Sequence, residues 1–267
     1  MLPLESRSPL VALYREHSEI HVYGLADLEA SYWNRSQWWL RGSAAVGLVG
    51  LPGGLPPIVY AISPADQAGT ISLLHDLDRR LPDRYVFTGP VGTSESLAPK
   101  RTSLWSAPHV KMVVRLVASP AADVSVVPLS VADVGAYQDL LDTDPEAGDF
   151  FHQGLLESNH YVGIWDPTNE TPSAPRLAAG AGVHVWSREF SVCALGNVAT
   201  RPPQRRRGLA TACVAALTCQ LLDIYDSVGL NVKTTNAPAR AVYQRLGFHD
   251  VHAYEEGELV RGVTASG

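Results

Sequence analysis

A chain of 267 residues, 46% hydrophobic and 18% charged, can form one large domain or two small ones with real cores. Its formal net charge of −6 argues against a dedicated nucleic-acid binder, whose domain would normally be basic. Three cysteines, Cys193, Cys213 and Cys219, lack C-x-x-C spacing and argue against a disulfide framework or a cysteine zinc site.

The N-terminus shows no basic segment followed by an apolar core, so no signal peptide is read there and a cytoplasmic protein is expected. Ser8 to His17 reads as a short helix, Ile20–Tyr23 as a strand and Ala26 to Trp33 as a second helix. Gly42 to Ile62 carries no charge and is long enough to raise the question of a membrane span. Pro52, Pro56, Pro57, Gly50, Gly53 and Gly54 break it, so two strands, Ala44–Val49 and Pro57–Ile62, are expected instead. Pro64 to Leu81 reads as a helix with Ser63 as N-cap. Tyr85–Thr88 and Val110–Val117 read as strands. Trp33, Trp38 and Trp39 form a cluster suited to core packing, or to lining a pocket.

Ala118 to Asp123 is small, polar and proline-containing, and reads as a linker between domains 1–120 and 121–267. A strand at Val124–Val127 follows, then a helix from Val131 to Leu141 and another from Gly148 to Glu157. Tyr161–Trp165 and Arg176–Trp186 read as an antiparallel pair, and Val192–Thr200 as the next strand. A helix from Thr211 to Asp223 comes next, with Cys213 and Cys219 as small core residues. A strand at Val228–Val232, a helix at Ala237–Leu246 and a strand at Asp250–Tyr254 complete the chain. Val22–Ala30 weakly echoes Val127–Ala136, as if the first half were a decayed copy of the second.

The chemistry concentrates at Pro202 to Thr211, Pro-Pro-Gln-Arg-Arg-Arg-Gly-Leu-Ala-Thr. A strand ends, a Pro-rich turn carries three arginines, and a glycine opens a helix. Unpaired amides and the helix dipole make such an N-terminus an anion site. Gly208 and Ala210 let phosphate oxygens approach the backbone, and Arg205, Arg206 and Arg207 can add charge-assisted hydrogen bonds.

Arg205-Arg206-Arg207-Gly208-Leu209-Ala210 matches the R/Q-x-x-G-x-G/A signature of the GCN5-related N-acetyltransferases (GNAT), and Asn236 to Phe248 resembles their later N-x-x-A…Y-x-x-x-GF element. The resemblance covers about Ser125 to Tyr254. It implies an α/β fold, of α+β type: a central mixed, mostly antiparallel sheet flanked by helices. A second α/β domain is expected before it, read as a degenerate copy of the same fold. It also implies acetyl-CoA as cofactor. In the family the fourth and fifth strands splay apart and the pantetheine arm pairs with the fifth; these fall here on Ala181–Trp186 and Leu195–Thr200, with Gly196 marking a bulge.

The implied cofactor contacts are Asn197, Val198, Ala199 and Thr200 on the strand, then Arg205, Arg206, Arg207, Gly208, Leu209, Ala210 and Thr211 at the turn. Asn231, Asn236, Ala239 and Tyr243 complete them. The family's tyrosine, here Tyr243, protonates the departing thiolate. The usual strand carboxylate is missing. His184 is the first candidate for general base, with His152, Glu157 and His160 behind it. His249 and His252 make an H-x-x-H without further ligands, so no metal is expected.

The expected activity is acetyl transfer to a primary amine of a small-molecule acceptor by direct attack in a ternary complex. A catalytically silent CoA-binding regulatory protein is the alternative. No nucleic-acid or membrane partner is expected, and the resemblance leaves a homodimer open. The acceptor itself stays open.

Overall fold

The computed structural model describes residues 1–51, 55–117, 124–144, 151–158, 160–167 and 175–262. In chain order the elements are α1 (Ser8–Arg15), α2 (Val22–Asp27), α3 (Ala30–Trp33), β1 (Ser36–Arg41), β2 (Ala44–Val49), β3 (Ile58–Tyr60), α4 (Gln67–Leu77), β4 (Arg84–Gly89), α5 (Thr93–Leu97) and β5 (Arg101–Val114). There follow β6 (Val127–Pro128), α6 (Val134–Leu141), β7 (Val162–Trp165), β8 (Leu177–Ser187), β9 (Val192–Thr200), α7 (Leu209–Leu222), β10 (Ser227–Lys233), α8 (Ala237–Arg245) and β11 (His249–Arg261).

These elements divide into two compact units. The first holds the chain up to Lys111, Val232–Thr235 and the C-terminal strand from Asp250; the second holds Met112–Asn231 and Asn236–His249. The linker expected at 118–123 lies outside the described residues. The final strand, expected within a domain of residues 121–267, belongs from Asp250 onward to the first unit.

In the first unit the strand order is β1-β2-β3-β4-β11-β5. The β1–β2 hairpin turns at Gly42, whose φ of +60° suits glycine. β3 and β4 run parallel, with α4 crossing between them, and β11 lies antiparallel beside β4. Trp39, Val46, Val59, Leu73, Leu77, Phe87 and Leu259 fill the core.

Several elements differ from expectation for physical reasons. Ile20–Tyr23 is not a strand: Val22 opens α2, where Val22, Leu25 and Ala26 are buried at helical spacing. β1 was hidden by its polar flanks, yet Trp38 and Trp39 are both buried in it, and a Cβ at Gly47 would stand 2.4 Å from the Trp38 ring. Helix α4 begins later than expected. Asp66, not Ser63, caps it by accepting from the Gly69 amide at 2.8 Å, while Ser63 Oγ accepts from Ala45 N–H.

In the second unit the order is β10-β9-β8-β7-β6. Neighbours from β6 to β9 are antiparallel, and β9 and β10 are parallel across the α7 crossover. Helix α7 buries Leu209, Ala212, Cys213, Val214, Ala215, Leu217, Thr218 and Leu221, as a helix apolar on most sides does. Cys219 is exposed rather than in the core. Of the helix expected from Gly148 to Glu157, residues 148–150 lie outside the described residues, and Gln153–Ser158 is a 3₁₀ segment.

Each half of the sequence has the same succession: antiparallel hairpin, third strand, crossover helix, parallel strand, short helix, long strand. The second half does repeat the first. The residues that carried the sequence echo do not correspond, since Val22 is helical and Val127 is in a strand.

Candidate functional site

β9 and β10 pair over four residues only, from Ser227↔Val192 to Leu230↔Leu195. Beyond Leu195, β9 runs on to Thr200 paired only with β8. The cause is local: Asn197 has a left-handed φ of +54°, and the β8–β9 register shifts opposite it, the signature of a bulge. The opening therefore lies between β9 and β10. The strands expected to splay, Ala181–Trp186 and Leu195–Thr200, are instead hydrogen-bonded neighbours. Asn231 is the first residue of β10 past the last pair and stands at the mouth of the gap.

Arg201 N–H donates to Ala178 O, toward β8. Strand alternation then turns the N–H and C=O of Val198 and Thr200 to the open edge, and those of Ala199 to β8. The Thr200 carbonyl accepts from Arg205 Nε at 3.1 Å, on that edge. The Thr200 hydroxyl is buried and has no hydrogen-bond partner.

The turn after β9 ends in Gly208, with φ +76°, as N-cap of α7. Glycine offers no capping side chain, and the first intrahelical bond runs from Ala212 N–H to Gly208 O. The amides of Leu209, Ala210 and Thr211 therefore point out of the helix end. Arg206 is also left-handed, at φ +63°, and two such residues in three positions curl the backbone into an anion-binding concavity. The arginines differ in their ties. Arg205 pairs with Asp144 at 2.9 Å, Arg207 donates to Gln204, and Gln204 holds Asp166 at 3.0 Å. Arg206 is exposed.

Helix α8 packs on α7. Asn236 Oδ1 caps it, accepting from Ala239 N–H at 3.2 Å. Tyr243 is buried on α8, its ring 5.8 Å from that of Phe248, and burial pushes its phenol up to about 12.

His184, on β8, reaches Asn197 Oδ1 through Nε2 at 3.0 Å, and a Cβ at Gly196 would fall 2.1 Å from its ring. Gly196 is thus the flat floor under the imidazole, beside the bulge rather than in it. The other base candidates lie elsewhere. His160 bonds Tyr225 at 3.3 Å and packs edge-on against Trp186, whose register partner is Cys193, at the end of β9 away from the opening. Burial, then Arg188, lowers its pKa. Glu157 is exposed, and His152 stands against Gly154.

Two residues at the site were missed by sequence reasoning. Tyr137 OH donates to the Asn197 carbonyl at 2.7 Å, and Tyr161 OH accepts from Asn197 Nδ2 at 2.8 Å. Their one trace in the sequence is the alternation Gly180, Gly182. A Cβ at either would meet the ring of Tyr137 at 2.6 Å or Tyr161 at 2.0 Å.

An open strand edge, a buried orphan hydroxyl at its end and a bare helix N-terminus fit an extended molecule with amides at one end and linked phosphates at the other, as coenzyme A has. Among the described residues, no three His, Cys, Asp or Glu side chains group to hold a metal ion, and no helix is long and apolar enough to cross a membrane.

Residues 183–256 match the model of the family described as FR47-like protein. None of the curated proteins matches the sequence. Among solved structures, a Drosophila protein superimposes with a TM-score of 0.70 at 16% identity, covering 97% of each chain. A tandem GNAT protein from the clavulanic acid biosynthesis pathway gives 0.56 at 15%, covering 100% of this chain and 99% of its own. A GCN5-related N-acetyltransferase from Kribbella flavida gives 0.53 at 16%, covering 92% and 96%. The second half of this chain therefore has the fold of the GCN5-related N-acetyltransferases, with an FR47-like segment across its site, and the first half is a second copy of that fold.

Proposed function

We propose that the chain is an acyl-CoA-dependent N-acetyltransferase that moves an acetyl group from acetyl-CoA to a primary amine of a small-molecule acceptor. The observation that carries this reading is the continuity of the open β9 edge with the uncapped N-terminus of α7 at Gly208. Bound there, the thioester supplies an activated acyl carbon; the amine nitrogen bonds to it as the C–S bond breaks.

The chain's own residues do the rest. The amides of Leu209, Ala210 and Thr211 hold the diphosphate, and Val198 and Thr200 present backbone groups to the pantetheine arm. Tyr243 keeps its proton across the neutral range because burial raises its pKa, so it can donate to the leaving sulfur. His184 takes the proton that the amine must lose. A cytoplasmic setting suits three cysteines that are all free thiols.

The test is calorimetry with CoA, then acetyl-CoA consumption over a panel of primary amines, with Tyr243→Phe as control. Micromolar or tighter CoA uptake with turnover on at least one amine is expected. Absence of CoA uptake by folded protein would sink the reading. Tight uptake without turnover on any amine would make the chain a silent CoA-binding protein, which the missing strand carboxylate favours as second reading.

A further inference from the structure

A residue with φ of +54° inside a strand is strained unless it is glycine or an Asn or Asp held by its surroundings. Asn197 is held at three points. Its carbonyl accepts from Tyr137 OH at 2.7 Å, its Nδ2 donates to Tyr161 OH at 2.8 Å, and its Oδ1 faces His184 Nε2 at 3.0 Å.

The donor directions in this chain of contacts follow from one another. Tyr161 OH lies 3.1 Å from the Val183 carbonyl, which can only accept, so the phenol proton goes there. The phenol oxygen then accepts from Asn197, which fixes the amide with Nδ2 toward Tyr161 and Oδ1 toward His184. An amide oxygen also only accepts, so His184 Nε2 carries the ring proton and Nδ1 keeps the lone pair. Burial pushes both Tyr161 and Tyr137 above the usual phenol range, so neither donor is lost at working pH. Three glycines make room for the three rings: Gly182 under Tyr161, Gly180 under Tyr137, Gly196 under His184. Gly196 directly follows the last β9 residue paired with β10, so the imidazole lies where the free edge begins.

We propose that Asn197, oriented by Tyr161, is a positioning residue that holds His184 as the Nε2–H tautomer, so that Nδ1 is the atom that removes the acceptor amine's proton. This rests on the transferase reading above. Base, orienting amide and anchoring phenol then form one relay, built at the same bulge that opens β9. The bulge thus serves two ends: it frees backbone groups for the cofactor and aims the base.

The tautomer can be read without turnover. In the full chain labelled with ¹⁵N-histidine, long-range proton–nitrogen correlation separates protonated from lone-pair ring nitrogens, with His184→Gln assigning the signal. Wild type should show His184 protonated at Nε2. Tyr161→Phe keeps the ring packing and removes the phenol oxygen; it should give a mixture of tautomers. It should also lower kcat about tenfold and move the acid limb of the kcat/KM profile, with KM for acetyl-CoA within about twofold. Asn197→Gly keeps the left-handed backbone and should release the tautomer in the same way, giving a second variant should one fold poorly. His184→Gln should cost on the order of a hundredfold in kcat.

A wild-type His184 protonated at Nδ1, or a Tyr161→Phe enzyme with unchanged tautomer and pH profile, overturns the proposal. If CoA binds and is turned over but His184→Gln is as fast as wild type, the base assignment falls and the transferase stands. If CoA does not bind, the transferase reading falls and takes the base role with it, whatever the tautomer.

Discussion

Replacing Gly208 with alanine separates the anion site from the stability of the fold. Gly208 has φ +76°, and a Cβ built on it meets nothing within 4 Å. The substitution therefore causes no clash, and its whole cost is the left-handed backbone, about 1–2 kcal/mol for an L-residue. For a chain of this size that lowers Tm by roughly 2–8 °C. Gly42 is the control. It has φ +60°, equally open space, and sits in the β1–β2 turn of the other unit. Gly42→Ala should lose similar stability and bind CoA like wild type. Gly208→Ala should also turn the first α7 amides away from the diphosphate. Loss of one hydrogen bond to a charged group, about 1.5–3 kcal/mol, weakens CoA binding roughly 10- to 100-fold. Denaturant melts and CoA calorimetry on both variants decide the matter. If Gly208→Ala loses stability like Gly42→Ala yet binds CoA with wild-type affinity, the diphosphate does not rest on this helix end.

Tyr243→Phe should lower kcat by about a hundredfold or more while KM for acetyl-CoA moves about twofold at most, measured by steady-state kinetics. Because burial sets the Tyr243 phenol near 12, no loss of activity from its ionisation should appear below pH 10; an alkaline limb near pH 8 that vanishes in the phenylalanine enzyme would contradict this. Calorimetric titration should find one CoA per chain, because Asp66 already caps α4 in the first unit; two equivalent sites would refute that reading. Asp27 is buried, and desolvation raises its pKa to about 7 against the opposing charges of Lys111 and Arg35. Its protonated form is therefore favoured in the fold, and its contribution to stability is fully present below about pH 4 and lost as pH rises toward 7. Asp27→Asn should match wild type near pH 4 and exceed it at pH 7 in denaturant melts; a variant less stable at pH 7 than at pH 4, relative to wild type, would reverse the sign.

The features legible in the sequence are those written in consecutive residues. Gly208 and the arginine turn were readable because glycine and proline punctuate the chain where a strand stops and a helix starts. Asn236 announced itself as a cap in the same way. What was not legible depends on pairing. Nothing within Leu195–Thr200 tells whether its free edge faces β8 or β10, since that is set by which strands lie alongside. The relay joins residues 137, 184 and 197 from three elements with residue 161, just before β7, and only the Gly180–Gly182 alternation hints at it. Cys219 was misplaced because α7 is apolar nearly all round, so the sequence carries no period from which to pick its exposed side. The N-terminal error at Val22 came from reading a short apolar run as a strand, where length cannot arbitrate.

The two units differ at the start of their crossover helices, and on the proposed reading that difference separates a copy that binds from one that does not. Both cross from one parallel strand to the next through a helix, and in both the helix N-terminus needs a negative partner. In the first unit the chain provides it: the Asp66 carboxylate takes the Gly69 amide at 2.8 Å, its carbonyl takes the Thr70 hydroxyl at 2.8 Å, and no anion is wanted. In the second, Gly208 withholds a side chain, and the helix begins without a side-chain cap, a deficit of a few tenths of a kcal/mol for glycine. On the proposed reading a bound diphosphate satisfies the first α7 amides, which links occupancy to stability at α7 and leaves them unlinked at α4. A single carboxylate at the helix start is enough to produce such a difference, so the shared fold of the two halves says nothing about whether both bind.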